Sequence, residues 1–211
     1  MLSARELSFS YRRGSPPVIQ NWSAEFPEGT TTALVGPSGR GKSTLLYLLG
    51  LMLQPSSGEI IVGGTSATRL SDSRKARLRA TEFGFVFQDA ALDQTRTVLD
   101  NVTETALYRG ERRSIATERA LALLDRFRVN VASDRRPGQV SGGQAQRIAL
   151  CRALLSNPRI LLADEPTGNL DPGTASVVVR ALREHASSGA TVIIVTHSPE
   201  VADSCDRTLQ L

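Results

Sequence analysis

The chain has 211 residues, of which 40% are hydrophobic, 22% charged and 5% aromatic, and its formal net charge is +4. This length and composition predict a single soluble domain with an aliphatic core, and no stretch reaches the roughly 20 apolar residues of a membrane-spanning helix. The N-terminus lacks a signal-peptide profile, which predicts a cytoplasmic protein, and Cys151 and Cys205 have neither metal-ligand nor disulfide spacing.

Short apolar runs alternate with helical segments along the chain. We predict strands over Leu7–Tyr11, Val18–Phe26, Thr30–Val35, Gly58–Val62, Phe83–Phe87, Ile160–Ala163 and Thr191–Thr196, and helices over Lys42–Leu53, Ile115–Phe127, Gln144–Leu155 and Pro172–His185. The first two strands alternate apolar and polar residues, as antiparallel strands do. Buried strands alternating with helices further on predict a parallel sheet in an α/β core. The charged, helical stretch 89–156 is predicted to be an insertion into that core.

A glycine-rich loop directly follows the strand predicted over 30–35. It matches the pattern G-x-x-x-x-G-K-[ST], the P-loop, and precedes a predicted helix. Backbone N–H groups of such a loop wrap a phosphate chain, so the predicted nucleotide-binding residues are Gly36, Pro37, Ser38, Gly39, Arg40, Gly41, Lys42, Ser43 and Thr44. Lys42, one of only two lysines in the chain, is expected to reach the β- and γ-phosphates, and Ser43 to bind Mg²⁺. The pattern alone leaves a kinase, a GTPase and a transport ATPase open.

Two carboxylates end the apolar strand predicted over Ile160–Ala163. Ligands bind at the carboxyl edge of open α/β sheets, where Asp164 and Glu165 are expected to lie. Asp164 is predicted to hold Mg²⁺. Glu165, which points in a different direction, is predicted to orient or deprotonate the attacking water.

The segment Ser141, Gly142, Gly143 and Gln144 starts a predicted helix as a capping box, with serine at the N-cap and glutamine three residues later. Such a helix start exposes N–H groups and a positive dipole end that suit a γ-phosphate. These residues, after Val140, resemble the L-S-G-G-Q signature of the ABC ATPase family. The following residues, 144–154, are also similar to the signature helix of that family.

The resemblance to ABC ATPases extends over essentially the whole chain and implies further site residues. Tyr11 lies where the family stacks an aromatic ring on adenine, and Gln88 resembles the glutamine that contacts Mg²⁺ and links the site to the helical insertion. Asn169-Leu170-Asp171 resembles the D-loop, which adds Asp171 to the predicted nucleotide site, and His197 resembles the switch histidine, a catalytic residue. The implied fold is a P-loop NTPase of the ABC type, with a RecA-like core, an N-terminal antiparallel β subdomain and an inserted α-helical subdomain.

The resemblance also implies a single ABC ATPase domain over residues 1–211. Residues 1–88 and 157–211 would form the β subdomain and core, and residues 89–156 the helical subdomain that carries the signature. The implied cofactors are ATP and Mg²⁺. The implied partners are a transmembrane permease on a separate chain, which would hold the ATPase at the inner face of the membrane, and a second ATP-binding subunit in a homodimer with sandwiched ATP.

Residues 36–39, 83–88 and 163–171 resemble one branch of the family, which contains the lipoprotein-releasing, macrolide-export and cell-division ATPases (LolD, MacB and FtsE). This branch implies export of a peptide, antibiotic or lipid-linked substrate. The stretch Asp89–Val98 departs from the branch pattern, because it lacks the usual proline. An alternative is a soluble ABC ATPase of DNA repair or translation, although the chain has no coiled-coil, zinc or duplicated module. The positive charge consists of scattered arginines and does not favour a nucleic-acid partner.

Overall fold

The computed structural model describes residues 1–12, 14–168 and 170–211. Its strands are β1 (Leu2–Phe9), β2 (Ile19–Phe26), β3 (Thr31–Val35), β4 (Ser57–Val62), β5 (Thr65–Ser66), β6 (Phe83–Val86), β7 (Ile160–Asp164), β8 (Thr191–Val195) and β9 (Arg207–Gln210). Its α-helices are α1 (Lys42–Leu49), α2 (Asp72–Glu82), α3 (Val98–Tyr108), α4 (Arg113–Arg126), α5 (Gly142–Leu154), α6 (Pro172–Ser187) and α7 (Pro199–Asp203).

The strands form two sheets. An antiparallel sheet has the order β2-β1-β4-β5, and a parallel sheet has the order β6-β7-β8-β3-β9. Every residue of β7 and β8 is buried, which matches their largely apolar sequences. The predicted mixed α/β fold, with an antiparallel and a parallel sheet, is therefore confirmed.

The apolar side chains form two clusters. One lies between the antiparallel sheet and α1, with Phe26 and Leu45 fully buried in it. The other lies where α3 to α6 pack on the opposite side, around Phe127, Ile148 and Leu182. The parallel sheet contributes side chains to both clusters, because successive residues of a strand point to opposite faces. The carboxyl edge of this sheet is thereby held between two packed layers.

The helices α3, α4 and α5 lie between β6 and β7 in the chain and pack on one another. The loop before α3 is fixed by Asn101, which is completely buried. Its side-chain oxygen accepts from Asp93 N at 2.8 Å, and its amide donates to the carbonyl oxygens of Asp93 at 3.0 Å and Thr97 at 2.9 Å. The atypical stretch 89–98 is therefore an ordered turn anchored to α3.

The first helix is shorter than predicted. It ends at Leu49 rather than Leu53, because Leu51 has a φ of 58°. Met52 N donates to Tyr47 O at 2.9 Å and Leu51 N to Leu48 O at 2.9 Å, which is the Schellman pattern of a helix end. The apolar residues 51–53 continue the composition of the helix but not its geometry.

The structure also adds elements that the sequence patterns did not define, namely α2, α3, α7, β5 and β9. Lys75 on α2 is buried and its ammonium group donates to Gln54 Oε1. Within the part of the chain that the structure describes, no helix has the length and apolar character needed to cross a membrane.

Candidate active site

The P-loop joins β3 to the start of α1. Its last glycine, Gly41, is the N-cap of α1 with a φ of 89°, and among the described residues no side chain caps this helix. A Cβ on Gly41 would lie 2.7 Å from Val18 Cγ1, so the position requires glycine for both conformation and space. The Lys42 ammonium donates to the carbonyl oxygens of Gly36 at 2.7 Å and Pro37 at 3.0 Å. The exposed residues Pro37, Ser38, Gly39 and Arg40 form the open side of the loop.

Tyr11 lies beside the P-loop helix. Its hydroxyl is 2.8 Å from Thr44 Oγ1, and its ring packs edge-on against Phe9 with centroids 5.0 Å apart. The side chain is nevertheless exposed, with 63% of the residue accessible. The structure thus brings Tyr11 to the nucleotide loop with its ring accessible to solvent; stacking on adenine stays a prediction.

Asp164 ends β7 and is buried. Its Oδ1 atom has no hydrogen-bond partner among the described residues. Burial raises the pKa of this carboxyl group, and Glu165 adds to the rise, whereas a hydrogen bond from Ser43 and the charge of Lys42 oppose it. A buried carboxylate oxygen without a partner beside a hydroxyl and an ammonium group fits a hard cation such as Mg²⁺. No group of three or more His, Cys, Asp or Glu side chains could hold a metal in residues 1–12, 14–168 and 170–211.

Glu165 and His197 meet at the carboxyl ends of β7 and β8. Glu165 Oε1 is 2.7 Å from His197 Nδ1, and Thr196 Oγ1 donates to Glu165 Oε2 at 3.4 Å. Glu165 has a φ of 47°, a left-handed conformation that costs about 1–2 kcal/mol for a residue with a Cβ. Its N–H donates to Val195 O at 2.9 Å, which holds that conformation. Thr196 was not among the predicted site residues, and only the strand order places it there.

Gln88 lies at the same edge of the sheet, because β6 pairs with β7 in parallel. It sits in a tight turn in which Ala90 N donates to Phe87 O at 3.1 Å, and its side chain is exposed. The predicted metal contact of Gln88 stays a prediction.

The signature segment forms the N-terminus of α5, as the capping box predicts. Gln144 N donates to Ser141 Oγ at 3.2 Å, and Ser141 N donates to Gln144 Oε1 at 2.8 Å. Gly142 is exposed, with no atom within 4 Å of the position that a Cβ would take. Among the described residues, no hydrogen bond or ion pair joins Ser141–Gln144 to the P-loop. Within one chain these two predicted parts of the site are therefore not linked.

Asp171 is the N-cap of α6. It accepts from Thr174 N at 3.0 Å and Thr174 Oγ1 at 2.6 Å, and these hydrogen bonds hold the pKa of its carboxyl group below the usual value. Glu165, His197 and Leu170 line an open cleft of ≈ 1080 Å³ between α6 and α7. Asn169 of the predicted D-loop lies outside the described residues.

A nucleotide-binding loop between β3 and α1, with two carboxylates at the end of β7 in the same parallel sheet, defines the class of P-loop nucleoside triphosphatases. The sequence model of the ABC transporter family matches residues 19–168, and the chain belongs to this family.

Several relatives cover nearly the whole chain. The lipoprotein-releasing system ATP-binding protein LolD of Paramagnetospirillum magneticum is 41% identical over 97% of this chain and 91% of its own length. The macrolide export ATP-binding/permease protein MacB of Burkholderia pseudomallei is 43% identical over 92% of this chain but only 30% of its own length. The resemblance to the branch with LolD and MacB is therefore confirmed.

Solved structures agree with the fold. The dimeric structure of an ATP-binding cassette in a post-hydrolysis state, bound to ADP and Pi, has a TM-score of 0.92 and 32% identity, and the match covers 100% of this chain and 94% of that one. A dimeric bacterial ABC transporter cassette matches with a TM-score of 0.92 and 33% identity over the same shares. The chain is thus an ATP-binding subunit of the ABC transporter type, an ATPase whose hydrolysis of ATP is coupled to transport. Nothing among these matches supports the alternative of DNA repair or translation.

Proposed function

We propose that ATP is hydrolysed at the carboxyl edge of the parallel sheet, between the P-loop and the Glu165–His197 pair. Lys42 binds the β- and γ-phosphates together with the N–H groups of the P-loop, and Tyr11 stacks on the adenine. Ser43, Gln88 and Asp164 would hold Mg²⁺, which neutralises phosphate charge when it is bound. Asp171 contacts the nucleotide from the start of α6.

Glu165 is the residue that orients the attacking water and accepts its proton. The observation that supports this role most directly is the 2.7 Å contact of its Oε1 atom with His197 Nδ1. A carboxylate held by a histidine on one oxygen and a threonine on the other has one fixed orientation, and catalysis of phosphoryl transfer depends mainly on such positioning. His197 is exposed and available to contact the γ-phosphate from its other ring nitrogen.

The working unit is a head-to-tail homodimer. The P-loop of one protomer and the Ser141–Gln144 segment of the other would enclose each ATP, because among the described residues no hydrogen bond or ion pair joins the two segments within one chain. The dimeric cassettes with the same fold support this arrangement. In each protomer, residues 1–88 and 157–211 form the β subdomain and core, and residues 89–156 form the helical subdomain that presents the signature.

The partner that uses this energy is a permease on a separate chain, which holds the ATPase at the inner face of the membrane. The permease would dock on this chain at a largely apolar groove of ≈ 510 Å³ between the core and α3. Phe85 and Phe87 stack in parallel with ring centroids 5.9 Å apart on this groove, and Met52 and Tyr108 are exposed along it. Exposed apolar residues around a groove are typical of a protein-docking site.

The cargo is proposed to be exported, and a lipid-anchored protein is the favoured class. Relatives named as ATP-binding proteins of lipoprotein-releasing systems align with 87–100% of this chain at 41–45% identity. The macrolide export protein, by comparison, includes a permease in its name and is matched over less than a third of its length.

The test is to co-express the chain with the membrane protein encoded by the neighbouring gene and to reconstitute the complex in lipid vesicles. We expect a stable complex whose ATP hydrolysis is stimulated by a lipid-anchored protein and not by a macrolide. Stimulation by the macrolide alone would reverse the cargo assignment.

Two matched variants test the docking groove. Tyr108→Asp places a charge on the groove, whereas Leu121→Asp places one on an exposed apolar residue of α4 outside it. Tyr108→Asp is expected to prevent formation of the complex and Leu121→Asp to leave it intact. Equal effects of the two variants would contradict the proposed groove.

A further inference from the structure

The turn that carries Gln88 continues into two consecutive alanines with left-handed backbone. Ala90 has a φ of 62° and Ala91 a φ of 46°. Residues with a Cβ rarely adopt this region, and two in succession are stable only where the surroundings enforce it. Ala90 is buried while Gln88 and Asp89 at the tip of the turn are exposed. The turn is therefore held from beneath and open on its upper side.

Two buried side chains of α5 supply that enforcement. Gln146 Nε2 donates to Phe87 O at 3.2 Å, the same carbonyl that closes the turn. Arg152 Nη2 donates to Ala90 O at 2.8 Å, and Nη1 donates to Ala91 O at 2.7 Å. Three carbonyl oxygens of the turn are thus bound by the helix that begins at the signature segment. Both side chains are almost completely buried.

Packing alone would not favour this arrangement of a buried arginine and two strained alanines. In the part of the chain that the structure describes, Arg152 forms no ion pair, and its buried charge is met by carbonyl dipoles, with Glu104 and Asp89 acting at longer range. Replacement of buried charged groups by well-packed apolar residues is often neutral or stabilising. The strained alanines and the buried guanidinium group each persist because they support each other. Strained backbone that is held in place by its surroundings is typical of functional sites.

We propose that Arg152 and Gln146 are positioning residues that fix Gln88 relative to the bound phosphates. They attach the Gln88 turn to α5, so that the turn and the signature segment at the start of that helix move as one body. The fork of the guanidinium group spans two neighbouring carbonyl groups, which a lysine ammonium group does not reproduce. This inference rests on the role proposed for Gln88 in the site.

The experiment is a double-mutant cycle on the purified chain. Steady-state ATP hydrolysis and ATP affinity are measured for Arg152→Gln, Gln88→Ala and the double variant. Arg152→Gln is expected to lower kcat by about 10- to 100-fold, the effect of a misplaced catalytic group, while ATP affinity stays within about twofold of wild type. In the Gln88→Ala background, Arg152→Gln is expected to lower kcat by less than about twofold further.

Arg109→Gln is the matched control. Arg109 also donates to two backbone carbonyl oxygens, those of Thr81 and Ser156, but it does not touch the Gln88 turn. Its kcat is expected to stay within about twofold of wild type. If Arg109→Gln lowers kcat as much as Arg152→Gln does, the effect is general loosening and the proposal is overturned.

The remaining outcomes separate the two proposals. If Gln88→Ala alone leaves kcat unchanged, the role proposed for Gln88 is wrong. If Gln88→Ala lowers kcat and Arg152→Gln multiplies that loss in the double variant, Gln88 has its role but Arg152 does not act through it. If Arg152→Gln shows no cooperative thermal unfolding, Gln146→Leu takes its place in the cycle, because it removes only the bond to Phe87 O.

Discussion

The chain contains two glycine-rich helix starts that are proposed to bind phosphate, and they are built differently. The P-loop ends at Gly41, a left-handed N-cap without a capping side chain among the described residues, and the lysine that follows donates to carbonyl oxygens of its own loop. The signature segment begins at Ser141, an extended N-cap whose side chain and backbone exchange hydrogen bonds with Gln144.

The two helix starts differ in whether their N–H groups have hydrogen-bond partners before a ligand binds. The first turn of α1 has uncapped N–H groups, and the Asp164 oxygen beside it has no partner in the described structure. A ligand completes that region. The first turn of α5 is already capped, so it is stable alone and presents only its exposed face to a partner. The P-loop region is thus completed by the nucleotide, whereas the signature segment is already formed before it docks.

The largest effect is expected on the P-loop side, where the chemistry is proposed to occur. Glu165→Gln keeps the shape of the side chain but removes the base, so turnover should fall by about 10²- to 10⁴-fold. ATP affinity should stay near wild type, and dimers should accumulate in MgATP. Phosphate release and size-exclusion chromatography measure both. Glu184 lines the same cleft, and the control variant Glu184→Gln should keep full activity. Full activity in Glu165→Gln would refute the assignment of Glu165 as the base.

Lys42→Ala tests the affinity of the P-loop for phosphate. Hydrogen bonds to charged groups contribute about 1.5–3 kcal/mol, so ATP affinity should fall by about 10- to 100-fold, as measured by calorimetry. Lys42→Arg should not restore it, because the larger guanidinium group does not fit over the Gly36 and Pro37 carbonyl groups. Restored affinity in the arginine variant would show that charge alone matters.

Ser141→Ala tests the signature side. Loss of the cap should lower the free energy of unfolding by about 1 kcal/mol and the melting temperature by about 2–4 °C. ATP affinity of the isolated chain should not change, whereas turnover should fall because the serine is proposed to act across the dimer. Ser71→Ala is the control, since Ser71 is the N-cap of α2 without a side-chain cap bond. Weaker ATP binding by isolated Ser141→Ala would contradict the division between the two regions.

Asp164→Asn is expected to change stability only slightly, and in the opposite direction from Ser141→Ala. Burial raises the pKa of Asp164 above its value in the unfolded chain, so ionisation at neutral pH costs stability in the folded state, and that cost is lost as the pH falls below the raised pKa. In metal-free buffer at pH 7 the variant should therefore melt at a higher temperature than wild type, although it loses hydrolysis. The gain should shrink as the solution is acidified. A lower melting temperature at pH 7 would mean that ionisation of Asp164 does not destabilise the folded chain.

Much of the fold could be predicted because its signals are local. The P-loop, the capped start of α5 and the buried strands β7 and β8 each follow from a pattern of neighbouring residues. The helix α2 could not be predicted in this way, because only Lys75 among its residues is buried and no apolar stripe marks it. The edge strand β9 has four residues, too few for a clear alternation.

Candidate site residues could be proposed one by one from the sequence, but their arrangement could not. The contact between Glu165 and His197 arises because β7 and β8 are neighbours in the sheet, which no local pattern specifies. The left-handed turn at Ala90–Ala91 could not be predicted either, because alanine favours helices and the buried Arg152 and Gln146 of α5 enforce the conformation. The Glu165–His197 contact and the Ala90–Ala91 turn both depend on tertiary contacts rather than on local sequence.

The scarcity of lysine has a practical consequence for chemical labelling. The chain has two lysine amines, and that of Lys75 is buried against Gln54. An acylating reagent at mildly alkaline pH therefore has the N-terminal amine and Lys42 as its accessible targets. Because a bound nucleotide would cover Lys42, the mass of a single tryptic peptide reports site occupancy without a fluorophore or an isotope.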